Sequence, residues 1–291
     1  MAIAGLGWTD RSRTGRLTAS SEVSGLGVGN LQNDHGSASM GWQTVGTSGW
    51  FRIETDSADN GWQAFLLART NLTPSATVRW RVGNDPTFAT WNWDTGVQPA
   101  GVARGIGQSL TVAPLQLVTQ VPASLGLLTE DGSVIVTEAG GTMATALRGR
   151  YCRCDIADTG NPDGFLNVPL AYAGLLVQPR RNIGWGTTLG RNQAGSTVRS
   201  RGGSSFTELQ WMARRWAVEF ASLGPSEVWP LVMDLDGYAR RGRNVLFVPD
   251  PDSPDRNREA VFGQLTPTAD VAFPFQTMER RSWRATIEER L

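Results

Sequence analysis

The chain of 291 residues holds one histidine, His35, within Asn33-Asp34-His35-Gly36-Ser37. A nucleophilic triad would have to pass its proton through that ring, with a carboxylate to orient it and a nucleophile within hydrogen-bond reach. Asp34 is merely adjacent in sequence, and no serine sits in a Gly-x-Ser-x-Gly turn. His35 therefore reads as a surface-loop residue. Glycoside hydrolysis needs two carboxylates facing each other across a cleft. Glu54, Asp56 and Asp59 cluster at one strand end, and nothing in the sequence marks a partner opposite them. Two runs carry oxygen ligands near calcium spacing: Asp250 to Asn257, and Asp155, Asp158, Asn161 and Asp163. Two prolines and the lack of a central glycine spoil an EF-hand reading of the first. The expectation is a non-enzymatic chain with no catalytic residues, no cofactor and no metal.

Sugar recognition is the chemistry the residue types support best. It asks for an aromatic platform and planar polar groups on loops. Trp91-Asn92-Trp93-Asp94 supplies both within four residues, and Trp42, with Gln43 and His35 nearby, supplies a second set. The competing reading is that Trp91 and Trp93 face the core or a neighbouring subunit. Twelve Trp against three Tyr suit either reading, because tryptophan dominates both cores and interfaces.

All 27 basic residues are arginine, balanced by 27 acids. Zero net charge gives no support for a nucleic-acid or anionic-membrane role. Coding bias accounts for the missing lysine; equally, planar guanidinium groups suit permanent interfaces. Residues 1–179 carry 11 Arg and 14 acids, and residues 180–291 carry 16 Arg and 13 acids. That asymmetry, −3 against +3, would suit head-to-tail contacts, with Arg180, Arg181, Arg240, Arg241 and Arg243 as candidate interface residues.

These side chains need elements to hold them, and the texture is all-β. Short strands broken by polar turns, 34 Gly and 15 Pro argue for an antiparallel sandwich. Trp50, Arg52 and Glu54 alternate against Phe51 and Ile53, and Val78, Trp80 and Val82 against Arg79 and Arg81. Ala64 to Ala68 is continuously apolar, as in a strand covered on both faces. Cys152, Cys154 and Ile156 share one face of the 151–156 strand, which makes the cysteines buried free thiols in poor disulfide geometry. Further strands are expected at Ser109–Val112, Leu115–Val121, Ser133–Thr137, Trp211–Phe220, Asn244–Val248, Arg258–Leu265 and Ser282–Ile287. A short helix capped by Ser226 is expected to run through Met233, with Pro230 in its first turn. The start, Met1 to Trp8, lacks the charged and apolar stretches of a secretory signal, and no window suits a membrane span.

The order of these segments resembles the galactose-binding-like (discoidin-type) jelly roll of bacteriophage tail and baseplate proteins. The resemblance rests on Asn30-Leu31, Trp42, Phe51-Arg52-Ile53-Glu54, Leu66 to Thr73, Val78-Arg79-Trp80-Arg81, Arg150 to Ile156 and Asn161-Pro162-Asp163-Gly164. Val245-Leu246-Phe247 before Pro249-Asp250-Pro251, then Ala260-Val261-Phe262-Gly263, resemble the tail-associated part of the same proteins. It implies residues 1–29 as an arm or lead-in, 30–179 as the jelly roll, and 180–291 as a smaller β-rich tail-docking domain with one short helix. By resemblance the chain is a distal tail or baseplate subunit of a long-tailed phage, made in the host cytoplasm and resident in the tail tip. Its partners would be copies of itself in a symmetric ring and other tail proteins. The alternative is a carbohydrate-binding module for a host surface glycan. Jelly rolls of this kind often hold a structural calcium, which keeps the 155–163 cluster in view.

Overall fold

The computed structural model describes residues 3–58, 60–102, 106–114, 116–118, 143–145, 147–273 and 280–291. The all-β fold expected from the sequence is what forms. The three largest antiparallel sheets of the described residues stack in layers, and a helical segment covers the last.

The front sheet orders Arg16–Ala19, Ser48–Glu54, Tyr151–Ala157, Thr77–Gly83 and Trp93–Asp94, with Gln98–Pro99 on the Thr77 end. Tyr151–Ala157 lies between two strands that precede it by about seventy residues or more, a jelly-roll crossover. Its register sets Arg153 between Arg52 and Arg81, and Cys154 between Phe51 and Trp80. Because side chains alternate along a strand, that register sends the arginines outward and the cysteines inward. Both thiols are buried and free, and burial raises their pKa well above the ordinary thiol value.

The middle sheet holds Ser109–Val112, Ala64–Ala68 and Leu170–Gly174. Phe65 and Leu67 face the front sheet, where Trp42, Phe51, Trp62 and Trp80 fill the space between the layers. Phe51 meets Trp42 and Trp80 edge-on at 5.5 and 5.8 Å, geometry that suits aromatic quadrupoles. Ala64, Leu66 and Ala68 point the other way, onto Leu246, Val248 and Phe262 of the rear sheet and Ala260 just before its strand. The unbroken apolar run at 64–68 thus has a concrete cause: a third sheet covers its second face.

The rear sheet orders Gly5–Gly7, Asn244–Val248, Val261–Pro267, Arg281–Glu289, Ser205–Leu223 and Thr188–Arg199. The first residues of the chain are built into it, since Leu6 pairs with Phe247 and Ala4, Leu6 and Trp8 lie in its core. Two glycines permit that approach. A Cβ on Gly5 would sit 2.4 Å from Leu176, and one on Gly7 would sit 2.5 Å from the Tyr172 hydroxyl.

Residues 225–239 form the covering helix, burying Val228, Leu231, Val232, Leu235 and Ala239 on the rear sheet. Ser226 is not its cap. Pro225 takes the first helical position, which needs no N–H, and the Glu227 carboxylate accepts the Gly224 N–H at 2.6 Å. Nor does Pro230 fall in the first turn. The helix widens to a π-turn over Trp229–Asp234, accommodating a residue that an α-helix interior rejects. Elsewhere the strand at Trp211–Phe220 is part of a longer one, Ser205–Leu223, and a short helix, Arg256–Glu259, precedes Val261–Pro267. The strand expected at Ser133–Thr137 lies outside the described residues, as do Leu115 and the end of Leu115–Val121.

Candidate binding and assembly surfaces

Two surfaces stand out, one on the outer face of the front sheet and one at the far edge of the rear sheet. The first is a row of guanidiniums, Arg52, Arg153 and Arg81, side by side on adjacent strands. Like charges placed directly opposite each other destabilise a sheet unless they are compensated. Here the Asp155 carboxylate accepts from Arg81 at 2.7 Å and from Arg153 at 2.7 and 2.9 Å. Arg153 also lies 4.3 Å from the Trp50 ring centroid, and Arg52 and Arg150 lie over Tyr151. Arg52 donates to the Pro86 carbonyl at 2.6 Å, and Arg150 pairs with Glu54 at 3.0 Å.

The loop that closes over this row is fixed by Asp85. Its carboxylate accepts from the backbone N–H groups of Thr87, Ala89 and Thr90 and from the Thr87 hydroxyl, which hold its pKa below the ordinary range. The tight turn places Phe88 at φ 56°, an uncommon value for a non-glycine residue. Phe88 is buried beneath the Arg81 guanidinium.

The predicted sugar set falls partly on this face. Trp91 is 44% exposed, its ring 5.5 Å from Arg79 and 5.8 Å from Arg81. Asn92 donates to the Arg148 carbonyl at 2.9 Å. Asp94 accepts from Arg79 at 2.9 and 2.5 Å, and those bonds hold its pKa down and push that of Arg79 up. Trp93 turns inward and stacks on Phe65 at 5.3 Å. Trp42 is a correction: it is fully buried, its indole N–H on the Ser21 carbonyl, so it offers no face to a sugar. The sequence shows the outward alternation of Arg52, Arg79 and Arg81, but not the site they make with Trp50, Tyr151 and Arg153. Only strand register brings 52, 81 and 153 into line.

The other residues weighed for chemistry are engaged structurally. His35 is exposed in its loop. Its neighbour Asp34 pairs with Arg13, accepts the Asn244 N–H at 3.2 Å, and offers its carbonyl to Arg290 at 2.9 Å. Asp56 is held by Asn60, while Asp59 lies outside the described residues. Asp158 accepts from the Thr73 N–H and hydroxyl and from Asn161, Asp163 accepts from Asn71, and Asp155 faces the arginine row. Among the described residues no group of three or more His, Cys, Asp or Glu could hold a metal ion.

The second surface is a two-stranded ribbon, Thr188–Arg199 with Ser205–Leu223. The neighbouring strand, Arg281–Glu289, pairs only from Arg215 onward, so among the described residues no third strand lies beside 205–214. The outer ribbon is therefore exposed on both faces, and it carries Leu189, Val198, Phe206, Leu209, Trp211 and Met212 into solvent. A ribbon exposed on both faces shows no apolar alternation, so the sequence predicts its strand only from Trp211. The proposed interface arginines lie elsewhere on the same layer. Arg240 pairs with Asp236 at 2.7 Å, Arg243 lies over Tyr238, and Arg241 is exposed beside them at the end of the helix. Arg180 and Arg181 sit at its start, where the Arg180 N–H meets Glu227 at 2.6 Å and Arg181 reaches Ser222 at 3.3 Å.

No family model and no curated protein matches the chain significantly. Among solved structures it is similar to the lectin domain of lectinolysin in complex with Lewis B antigen, at 10% identity and a TM-score of 0.36 over 57% of this chain and 97% of that one. It is similar to chitosan-binding module 1 of a chitosanase/glucanase from Paenibacillus sp. IK-5, at 15% identity and 0.34 over 56% and 97%. The virion of a native gene transfer agent particle matches at 16% identity and 0.23 over 39% and 83%. Likenesses this remote assign neither a family nor a ligand.

Proposed function

We propose that this chain is a non-enzymatic structural subunit of a long-tailed bacteriophage, of the distal tail or baseplate kind, which joins copies of itself in a symmetric ring at the tail tip. Residues 30–179 would form the jelly roll and 180–291 the docking domain, with the lead-in 1–29 giving Arg16–Ala19 to the first and Gly5–Gly7 to the second. The observation that carries the reading is the ribbon. A free-standing hairpin is marginal in water, and apolar side chains on both of its faces ask for another surface. The segment resemblance supplies the phage setting. Arg180, Arg181, Arg240, Arg241 and Arg243, flanking the helix, would meet carboxylates of neighbouring subunits.

Mass photometry of the full chain tests it. A closed oligomer is expected, and Val198→Ser with Phe206→Ser should return it to monomer with its melting temperature nearly unchanged. A wild-type chain that stays monomeric at tens of micromolar would overturn the reading.

Exposed Trp91 supports a second reading, a module for a host surface glycan. Its ring is 44% exposed and lies within 6 Å of the Arg79 and Arg81 guanidiniums, which places an aromatic surface beside polar groups, as a pyranose site requires. Titration of the full chain against a panel of bacterial glycans should then show binding that Trp91→Ala abolishes. No binding across the panel would remove this reading and leave the first intact.

A further inference from the structure

The arginine row of the front sheet is short of acid. Asp94 answers Arg79 and Glu54 answers Arg150, which leaves Arg52, Arg81 and Arg153 with Asp155 alone. Asp155 bridges Arg153 and Arg81, which lie directly opposite each other on adjacent strands. Arg153 and Arg52 are opposite in the same way on its other side, and no carboxylate bridges them. Arg52 donates to the Pro86 carbonyl and lies over Tyr151, and it meets no acid among the described residues.

The shortage shows in the donors. The Nε groups of Arg52 and Arg81 are buried without a hydrogen-bond partner, and so is the hydroxyl of Thr18, which stands beside Arg52 in the same cross-strand row. Arg81 is only 9% exposed. One terminal nitrogen on each of Arg52, Arg81 and Arg153 also makes no hydrogen bond among the described residues. Covered donors without acceptors are costly, and an acceptor that arrives from outside relieves that cost.

The donors are fixed before any ligand arrives. Arg153 lies 4.3 Å from the Trp50 ring, Arg81 lies within 5.8 Å of both Phe88 and Trp91, and Arg52 is tied to the Asp85 loop through Pro86. Guanidiniums held this way give up little further freedom on binding, and their planar forks match a carboxylate two bonds at a time. Beyond Arg81 stands the exposed ring of Trp91. The strands of Arg52 and Arg81 are two spacings apart, about 10 Å. A ligand that touches both Trp91 and Arg52 is therefore longer than one sugar ring.

From these observations we propose that the front face binds an acidic oligosaccharide, with one sugar ring on Trp91 and the carboxylate of a neighbouring unit between Arg52 and Arg153. That carboxylate completes the row on one side of Arg153 as Asp155 completes it on the other. The proposal rests on the glycan reading of Trp91 and names the class of glycan. Uronic and sialic acid units carry the required group. A neutral hexose does not, and it leaves the free guanidinium donors without an acceptor of opposite charge.

Titration calorimetry of the full chain tests this with tetragalacturonate, tetramannuronate and a sialic acid tetramer, each beside its carboxyl-reduced counterpart. At least one acid form should bind about tenfold or more tightly than its reduced form, the effect of a charge-assisted contact. Arg52→Gln and Arg153→Gln should each bring that acid form down to the affinity of the reduced one. The comparison of acid with reduced form is made on the wild type, so it stands however well either variant folds. Selective binding that survives both substitutions in folded protein puts the acid elsewhere and overturns the assignment to this row. Equal affinity for the two forms overturns the acidic class and leaves the glycan reading standing. Binding of neutral glycans with none of the acids does the same. No binding of any glycan removes both.

Discussion

The front face and the ribbon both set arginine beside tryptophan, and they treat the pair in opposite ways. On the front face each guanidinium of the row is spent within the molecule: Asp155 serves Arg81 and Arg153, Trp50 lies under Arg153, and Tyr151 lies under Arg52. On the ribbon Arg191 reaches only the Met212 sulfur at 3.8 Å, and Arg199 and Arg201 reach nothing described. The row still sets three guanidiniums against one carboxylate, with Arg52 Nε and Arg81 Nε unpartnered, yet each side chain is held in place by neighbours of its own. Unsatisfied on both faces, the ribbon is the surface that another molecule can complete. Composition alone would treat the two regions alike; the distinction lies in who the neighbours are.

The largest expected effect comes from a residue at the ribbon's base that behaves like the front face. Arg214 is mostly buried and donates to Glu289 at 2.9 and 2.6 Å, to the Arg258 and Ala260 carbonyls at 2.6 and 3.0 Å, and to Gln108 at 3.0 Å. Gln108 in turn donates to the Asn257 and Ala260 carbonyls, so one guanidinium ties the rear sheet to the segment entering the middle sheet. Arg214→Ala would leave the mostly covered Glu289 carboxylate with only the residue-214 backbone N–H in place of its guanidinium. Urea unfolding should show a loss of about 3–5 kcal/mol. A loss below ~1 kcal/mol would mean that the base of the ribbon is as open as its tip, and the contrast between the regions would collapse.

A second, partly buried carboxyl, where the chain's start meets the middle sheet, should show in the pH dependence. Asp10 caps the short helix Arg11–Thr14, accepting from the Ser12 N–H and hydroxyl and from the Ala173 N–H, yet burial raises its pKa to about 6. The folded chain therefore holds a proton that the unfolded chain releases near the ordinary aspartate value. Stability should rise as pH falls from 7 toward 4, by at most about 3 kcal/mol, with the gain beginning as pH drops through 6. Asp56, Asp85 and Asp94 shift the other way and oppose the gain only below the ordinary carboxylate range. Asp10→Asn keeps a capping oxygen and should flatten the pH 5–7 window in urea unfolding. A window that stays sloped would assign the effect to other groups.

Alternation made the strands of the front and middle sheets legible in the sequence. Phe51 and Ile53, Trp80 and Val82, and Cys152 and Cys154 all face inward as their spacing demands. The run at 64–68 announced two covered faces, but what covers the second one was not readable, because it arrives from residues 246–262. The candidate site was half legible. Trp91, Asn92 and Asp94 reach the outer face, whereas Trp42 and Trp93 obey the core, since an isolated tryptophan carries no mark of which way its strand turns. The ribbon was the least legible element, because side chains exposed on both of its faces leave no apolar periodicity to read.

The smallest effect on folding belongs to the ribbon tip, and it sharpens the contrast most. Arg199→Ser with Arg201→Ser removes two exposed guanidiniums that touch nothing described, so monomer stability should stay within ~0.5 kcal/mol of wild type. If the tip docks beside carboxylates, each lost pair contributes about 0.2–1 kcal/mol to association. The concentration at half-assembly, read by mass photometry, should then rise by between about twofold and thirtyfold. Salt near 1 M, which shortens electrostatic reach to about 3 Å, should erase the difference between variant and wild type. Arg150→Ser on the front face, whose charge is already answered by Glu54, should leave the half-assembly concentration where it was. If Arg150→Ser shifts it and the tip variant does not, the assembling surface is the front face, and the roles of the two regions are reversed.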